Sequence, residues 1–283
     1  MAPSPDLDGY TRAVARHFDA RTDYSRSPTH ARLAERLVAL AAPQAGERVL
    51  DVATGTGFVA IAMARVVGEQ GTVLGVDLSA GMLAQGRAAI AAAGLRNVTM
   101  LQADAQTLPG MTGGYDLICC CNALPYMPDV PAALQRWCAL LRPGGRLAFN
   151  CWAENSYATG RLLREHAARH GVHVAMVGRD TGTPERCRTV LAAAGFAHTH
   201  VVVEPTAHFF SAAQLAGFLD MAVNNPLYGI IPADATRLGA WRDAYALEAN
   251  STTVSDGIAA EAGAYFVVAH KLPTPHAVAE GGS

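Results

Sequence analysis

The sequence carries no excess of basic residues: 22 lysines and arginines stand against 24 aspartates and glutamates, for a formal charge of -2. A protein that neutralises a run of phosphates needs clustered positive charge, so the balance argues against a dedicated nucleic-acid binder. No apolar run approaches the ~20 residues that cross a bilayer. The opening MAPSPDLDGY lacks both the basic start and the apolar core of a secretory signal. The six cysteines are Cys119, Cys120, Cys121, Cys138, Cys151 and Cys187, and no two have C-x-x-C spacing. Successive strand residues face opposite ways, so the consecutive trio cannot close on one metal ion. It reads as small apolar packing in a buried strand, and a reducing cytoplasm is the expected setting. Charged residues make up only 16% of the chain and hydrophobic ones 51%, which excludes a disordered protein. At 283 residues the chain is one large domain or two small ones.

What is present is an alternation of strand and helix. Residues 10–24 form a short helix; Ser27-Pro28 then opens a stronger one, with Ser as N-cap and Pro in the first turn. Strands are expected at 48–52, 72–76, 97–101, 115–121 and 146–151, the last after an Arg142-Pro143-Gly144-Gly145 turn. Helices lie between them, one capped by Ser79. The strands are continuous apolar runs, as in a parallel sheet covered on both faces. The class is α/β, doubly wound and mostly parallel. Later strands fall at 198–203 and 264–270, with an intervening stretch too long for a turn. The organisation is therefore a helical cap segment (1–43), a core (44–206), a mainly helical inserted lid (207–263), a final core strand (264–271) and a mobile tail (272–283). No internal repeat is evident.

Gly55-x-Gly57 sits between a strand and a helix. Glycine permits a tight turn and a close approach of backbone to ligand, and the helix behind it offers unpaired N–H groups. Asp77 follows 20 residues after Gly57 at a strand end, where a carboxylate can take a ribose diol. The spacing Gly55-x-Gly57-x-x-Ala60 also satisfies a dinucleotide fingerprint, so an NAD-dependent oxidoreductase is a rival. Asp51, four residues before Gly55, and Asp104, closing the third strand, weigh against a pyrophosphate and in favour of a cationic, phosphate-free nucleoside.

These residues fall into five ordered motifs: Val49-Leu50-Asp51-Val52-Ala53-Thr54-Gly55-Thr56-Gly57, Gly75-Val76-Asp77-Leu78-Ser79, Ala103-Asp104-Ala105, Tyr115-Asp116-Leu117-Ile118 and Leu141-Arg142-Pro143-Gly144-Gly145. Together they resemble the class I S-adenosylmethionine (SAM)-dependent methyltransferases that act on small molecules. The resemblance implies a seven-stranded Rossmann-like sheet whose last strand is antiparallel, and SAM as cofactor, leaving S-adenosylhomocysteine. It implies that the backbone of Ala53, Gly55 and Gly57 lies against the methionine part, that Thr56 of the same loop binds the cofactor, that Asp51 helps to orient the ammonium, and that Asp77 holds the ribose. Leu78 and Met82 would flank the adenine, Asp104 and Ala105 contact its edge, and Asn122 end a strand against cofactor and substrate. Tyr24 belongs to an N-terminal segment that folds over SAM in the family.

The stretch Asn122-Ala123-Leu124-Pro125-Tyr126-Met127-Pro128-Asp129 departs from many relatives, which carry histidine there. Tyr126 stands in its place as a candidate to orient an acceptor, and His208 is a second candidate at the start of the insertion. Phe209, Phe210, Phe218, Met221, Leu227, Tyr228 and Trp241 supply an apolar cover, with polar groups in the Asn224-Asn225-Pro226 turn. His166 and His170 are expected on a solvated helix face; no metal site is expected. The expected activity is methyl transfer to an oxygen, or to carbon or nitrogen, of a small, fairly hydrophobic molecule. The missing base keeps open a relative that binds SAM without methylating. No nucleic acid or membrane partner is expected, and self-association as a homodimer is admitted.

Overall fold

The computed structural model describes residues 8–154, 158–176, 178–210, 219, 222–229, 239–245, 247 and 258–273. A seven-stranded sheet runs through it in the order β3-β2-β1-β4-β5-β7-β6. Its strands are β1 (Arg48–Val52), β2 (Thr72–Asp77), β3 (Val98–Gln102), β4 (Tyr115–Cys120), β5 (Leu141–Trp152), β6 (Phe196–Phe210) and β7 (Ile258–Lys271). The first five are parallel, and β7 is antiparallel to both β5 and β6. The order reverses between β1 and β4, which opens a crevice at their carboxyl ends.

The helices are α1 (Gly9–Asp19), α2 (Pro28–Ala41), α3 (Phe58–Val67), α4 (Ala80–Ala92), α5 (Val130–Leu140), α6 (Ala158–Arg169) and α7 (Pro184–Ala193). Ser27 caps α2 through the His30 N–H, and Ser79 caps α4 through the Met82 N–H at 3.0 Å. Short 3-10 turns occupy Tyr24–Arg26, Leu124–Tyr126 and Pro226–Tyr228.

Two cores sandwich the sheet. α2, α3 and α4 bury Leu37, Met63 and Leu83 on one face against Val49, Leu117 and Cys119. α5 and α7 bury Trp137 and Leu191 on the other against Leu50, Ile118 and Cys120. Cys119 and Cys120 thus belong to opposite faces, as strand alternation requires. Among the described residues no group of three candidate ligands gathers to hold a metal ion, and no helix is long and apolar enough to cross a membrane.

Trp137 ties the α5 side of the sheet to the end of β3. It is fully buried, and its indole N–H donates to the Ala105 carbonyl at 2.8 Å. Trp137→Phe removes the donor and strands that carbonyl. The expected loss is about 1–3 kcal/mol of stability, read as a lower urea midpoint at unchanged slope. An unchanged midpoint would show that the bond contributes nothing.

Three features differ from the sequence reading. Pairing of β5 begins at Leu141 opposite Tyr115, then jumps to Arg146 opposite Leu117, so the expected 142–145 turn is a bulge inside the strand, with Gly144 at φ +75°. β6 and β7 run on past the sheet as an antiparallel ribbon, pairing from Glu204–Ala264 out to Phe210–Ile258. Residues at both ends of the expected insertion, His208 among them, therefore lie in strands. Finally, His166 is buried, stacked on His170 at 4.8 Å and edge-on to Tyr245 at 5.7 Å. It belongs to a third core made by Leu163 and Ala167 of α6 with Leu219, Ala222, Tyr228, Trp241 and Tyr245. That core absorbs the apolar face a solvated helix would have lacked.

Candidate functional site

Three of the five residues after β1 adopt left-handed backbone: Ala53 (φ +53°), Gly55 (φ +56°) and Gly57 (φ +85°). This backbone favours glycine, and Ala53 holds it without that freedom. Gly57 is also the N-cap of α3, and a Cβ on it would come within 2.8 Å of Met100 Cε. The loop is fixed from the neighbouring strand by Asp77, which accepts the Gly55 N–H on one oxygen and the Ser79 N–H on the other, each at 2.8 Å. Thr54 Oγ1 donates to Asp51 at 2.6 Å from the inner side.

Around this loop lies a chamber of about 730 Å³, lined by Tyr24, Ala53, Gly55, Asp77, Leu78, Met82, Asp104, Ala105, Asn122 and Tyr126. Ten of the expected site residues are therefore brought together. Asp51 is not on that wall. It is almost fully buried behind the loop and lines an adjoining cavity of about 340 Å³ with Tyr24, His30 and Asn122. Thr56 and Gly57 line neither, because the chain turns there into α3; the Thr56 hydroxyl is buried with no hydrogen-bond partner. The side chain of His208 lies outside the described residues, as do those of Phe209, Phe210, Phe218 and Met221. Tyr228 and Trp241 pack in the third core and not in the chamber.

The sequence reading named Tyr24, Tyr126 and the Asn224-Asn225-Pro226 turn but missed Phe18 and Asp19, which help to close the chamber. Phe18 of α1 contributes wall and meets Tyr126 edge-on at 5.1 Å. Asp19, at the end of α1, accepts the Ser79 hydroxyl at 2.6 Å and the Gly81 N–H at 2.9 Å, pinning α1 to the start of α4. Tyr24 reaches the glycine loop, 4.0 Å from where a Gly55 Cβ would stand. Tyr126 accepts a hydrogen bond at 3.1 Å from the Asn225 amide, whose oxygen takes the Leu227 N–H at 3.0 Å. The Asn224-Asn225-Pro226 turn thus reaches Tyr126. The amphipathic pattern of α1 was the one available signal; these pairings lie 60 to 99 residues apart in sequence.

Electrostatics define what the chamber accepts. Burial pushes the Asp51 carboxyl up to about 7 and that of Asp77 up to about 6, and each lies near another acid. Burial holds these carboxyls protonated to higher pH, and a cation beside them would favour their ionised form. Among the described residues lining the two cavities there is no lysine or arginine. Burial also raises the Tyr24, Tyr126 and Cys121 groups above their ordinary values, so they stay protonated at neutral pH. The two buried acids suit a nucleoside bearing positive charge, while the nearest cation, Arg21, lies outside the lining with its guanidinium 5.2 Å from the Tyr24 ring centre.

Comparison with known proteins agrees. Residues 49–145 match the family described as a methyltransferase domain. Aklanonic acid methyltransferase DauC of Streptomyces sp. (strain C5) is 35% identical over 144 residues, covering 50% of this chain and 65% of DauC. Demethylmenaquinone methyltransferase of Shouchella clausii is 39% identical over 104 residues, covering 37% of this chain and 44% of its own. The matched stretch thus spans roughly half the length of these relatives. Among solved structures, Bacillus subtilis YcgJ superposes with a TM-score of 0.59 at 16% identity, covering 86% of this chain and 99% of YcgJ. The [4+2]-cyclase SpnF superposes with a TM-score of 0.54 at 19% identity, covering 86% and 81%. With the ordered motifs and the sheet order, these matches mark residues 49–145 as a methyltransferase domain, carried on a sheet that has the fold of the superposed structures.

Proposed function

We propose that the chain transfers a methyl group from SAM to a small, fairly hydrophobic organic acceptor, with oxygen the first choice of target atom and carbon or nitrogen next. The observation that carries this is the acidic chamber over the glycine loop. The bound cofactor supplies an electrophilic methyl on a positively charged sulfur. In this reading Asp77 holds the ribose while keeping the loop in shape, Leu78 and Met82 flank the base, and Asp104 and Ala105 meet its edge. Tyr24, Phe18 and Tyr126 exclude water from the transfer path. Alignment and drying are what the protein contributes to such a displacement.

The acceptor's approach is a second, open cleft of about 1110 Å³. Met127 and Pro128 line both it and the cofactor chamber; Tyr10, Val130, Met176 and Leu227 give it apolar wall, and His173, Arg179 and Asp180 give it polar and charged wall. Such a mixed lining can take a ring-bearing organic molecule that also carries a polar group. The names of DauC and demethylmenaquinone methyltransferase, an acid and a quinone precursor, point to the same kind of acceptor.

The Tyr126 hydroxyl accepts from Asn225, so its own proton is free to be donated. Tyr126→Phe is expected to lower kcat/KM for the acceptor about tenfold while leaving SAM affinity unchanged. Equal kinetics would remove Tyr126 from the acceptor site. The test of the reaction itself is mass-spectrometric detection of S-adenosylhomocysteine on incubation with SAM and aromatic acids, enols and phenols. Because the ionisable groups nearest Tyr126 are held protonated, a second reading stands beside the first: the chain binds SAM without spending it. Acceptor converted while SAM stays intact would establish that reading over methyl transfer.

A further inference from the structure

Asn150, on β5, is fully buried, and none of the roles above uses it. Its side-chain oxygen accepts the Asn122 backbone N–H at 2.9 Å, and its amide nitrogen donates to the Asn122 side-chain oxygen at 2.6 Å. The two bonds form a closed ring across the ends of β4 and β5. Its polarity is forced by chemistry. A backbone N–H can only donate, so the Asn150 atom facing it is oxygen. The other end of that amide is then NH₂, so the Asn122 atom it meets is oxygen. The Asn122 NH₂ is consequently turned away from Asn150. Asn122 itself is held in left-handed backbone (φ +57°) and is half-buried on the wall shared by the main chamber and the side cavity.

His30 lines the same side cavity. The Ser27 hydroxyl oxygen accepts the His30 backbone N–H at 3.4 Å and lies 2.6 Å from Nδ1. In the tautomer whose Nδ1 accepts the Ser27 hydroxyl proton, Nε2 is an N–H donor. Asp51 supplies the cavity's carboxyl. One small space therefore offers two neutral donors and one acid, the complement of a zwitterionic α-amino acid.

We propose that Asn150 is a positioning residue for the cofactor site: its two bonds to Asn122 keep the Asn122 amide turned to donate to the carboxylate at the amino-acid end of SAM, beside His30. The proposal rests on the cofactor assignment.

Calorimetry on the full chain tests it with two ligands: S-adenosylhomocysteine, and 5′-methylthioadenosine, which lacks the amino acid. Asn150→Asp still accepts the Asn122 N–H but offers only oxygen to the Asn122 side chain, so that amide reverses and presents oxygen to the cavity. The expected result is about a tenfold loss for S-adenosylhomocysteine with 5′-methylthioadenosine affinity unchanged. Asn122→Ala, which leaves no amide to reverse and does not bury a new charge, is expected to give the same selective loss and to make Asn150→Asp silent when combined with it. His30→Ala is expected to weaken S-adenosylhomocysteine alone. Equal losses for both ligands, or none for either, would overturn the proposal. Failure of the unmodified protein to bind either ligand would instead overturn the cofactor assignment beneath it.

Discussion

Asp51→Asn is expected to make the cofactor-free protein more stable above neutral pH while weakening its hold on SAM. The side chain is 1% exposed and its carboxyl is pushed up to about 7 by burial. An unfolded aspartate loses its proton near 3.8. Between these values the folded state keeps a proton that the unfolded state has given up, so stability falls as pH rises from about 4 to about 7 and is flat beyond. Charging a carboxyl under such a constraint costs the fold roughly 4 kcal/mol. Asparagine cannot charge, and its oxygen still accepts from Thr54. It should recover about 1–3 kcal/mol at pH 8 and nothing at pH 4. A cationic ligand reverses the balance, because it favours the ionised carboxylate. SAM affinity of the unmodified protein should therefore rise as pH climbs through 6 and 7, and Asp51→Asn should flatten that rise. Thermal melts and calorimetric titrations at several pH values measure both. A variant that binds SAM as well as its parent across that range would contradict an electrostatic role for Asp51.

Asp77→Ala is expected to have the larger effect on binding alone. Both carboxylate oxygens already hold backbone donors, Gly55 N–H and Ser79 N–H, while the side chain lines the chamber. Removal therefore loosens the glycine loop and the start of α4 as well as deleting the proposed ribose contact. Hydrogen bonds to a charged group contribute about 1.5–3 kcal/mol each, so SAM affinity should fall about a hundredfold or more. Asparagine is no mild replacement here: it keeps one acceptor for two donors and turns its own NH₂ against the other. Asp77→Asn should lie much closer to alanine than to the parent in a titration with S-adenosylhomocysteine. Full affinity in Asp77→Ala would separate this residue from the cofactor.

The contrast between these acids and the rest of the site shows what the sequence could reveal. Asp51 lies near the end of β1, Gly55 and Gly57 on the loop that follows, and Asp77 at the end of the next strand, so local spacing and the strand–loop–helix rhythm were enough to place them around one loop. The same rhythm exposes the parallel half of the sheet, because each buried strand is a continuous apolar run. The β6–β7 ribbon is harder to see. Residues 204–210 include Pro205, and residues 258–263 are mostly alanine and glycine, with no alternation to mark a face. Proline is tolerated because β6 is an edge strand, where a missing N–H need not break a ladder.

Three locking pairs left no trace in the sequence: Asp19 with Ser79, Asn225 with Tyr126, and Asn150 with Asn122. Each joins residues from different elements, 60, 99 and 28 positions apart. Polar residues of this kind look like ordinary caps or turns until the topology places their partners. His166 failed in the opposite direction: a histidine pair at helical spacing looked solvated because the elements that bury it, around Trp241 and Tyr245, belong to the least patterned part of the chain.

The account stands on the claim that the glycine loop and its acids receive a cationic adenosine cofactor and not a phosphorylated dinucleotide. Calorimetric titration of the purified full chain with SAM, and in parallel with NAD, tests this most directly. Saturable one-site binding of SAM, strengthening from pH 6 to pH 8, with no heat from NAD, is the predicted result. Saturable binding of NAD with none of SAM would contradict it.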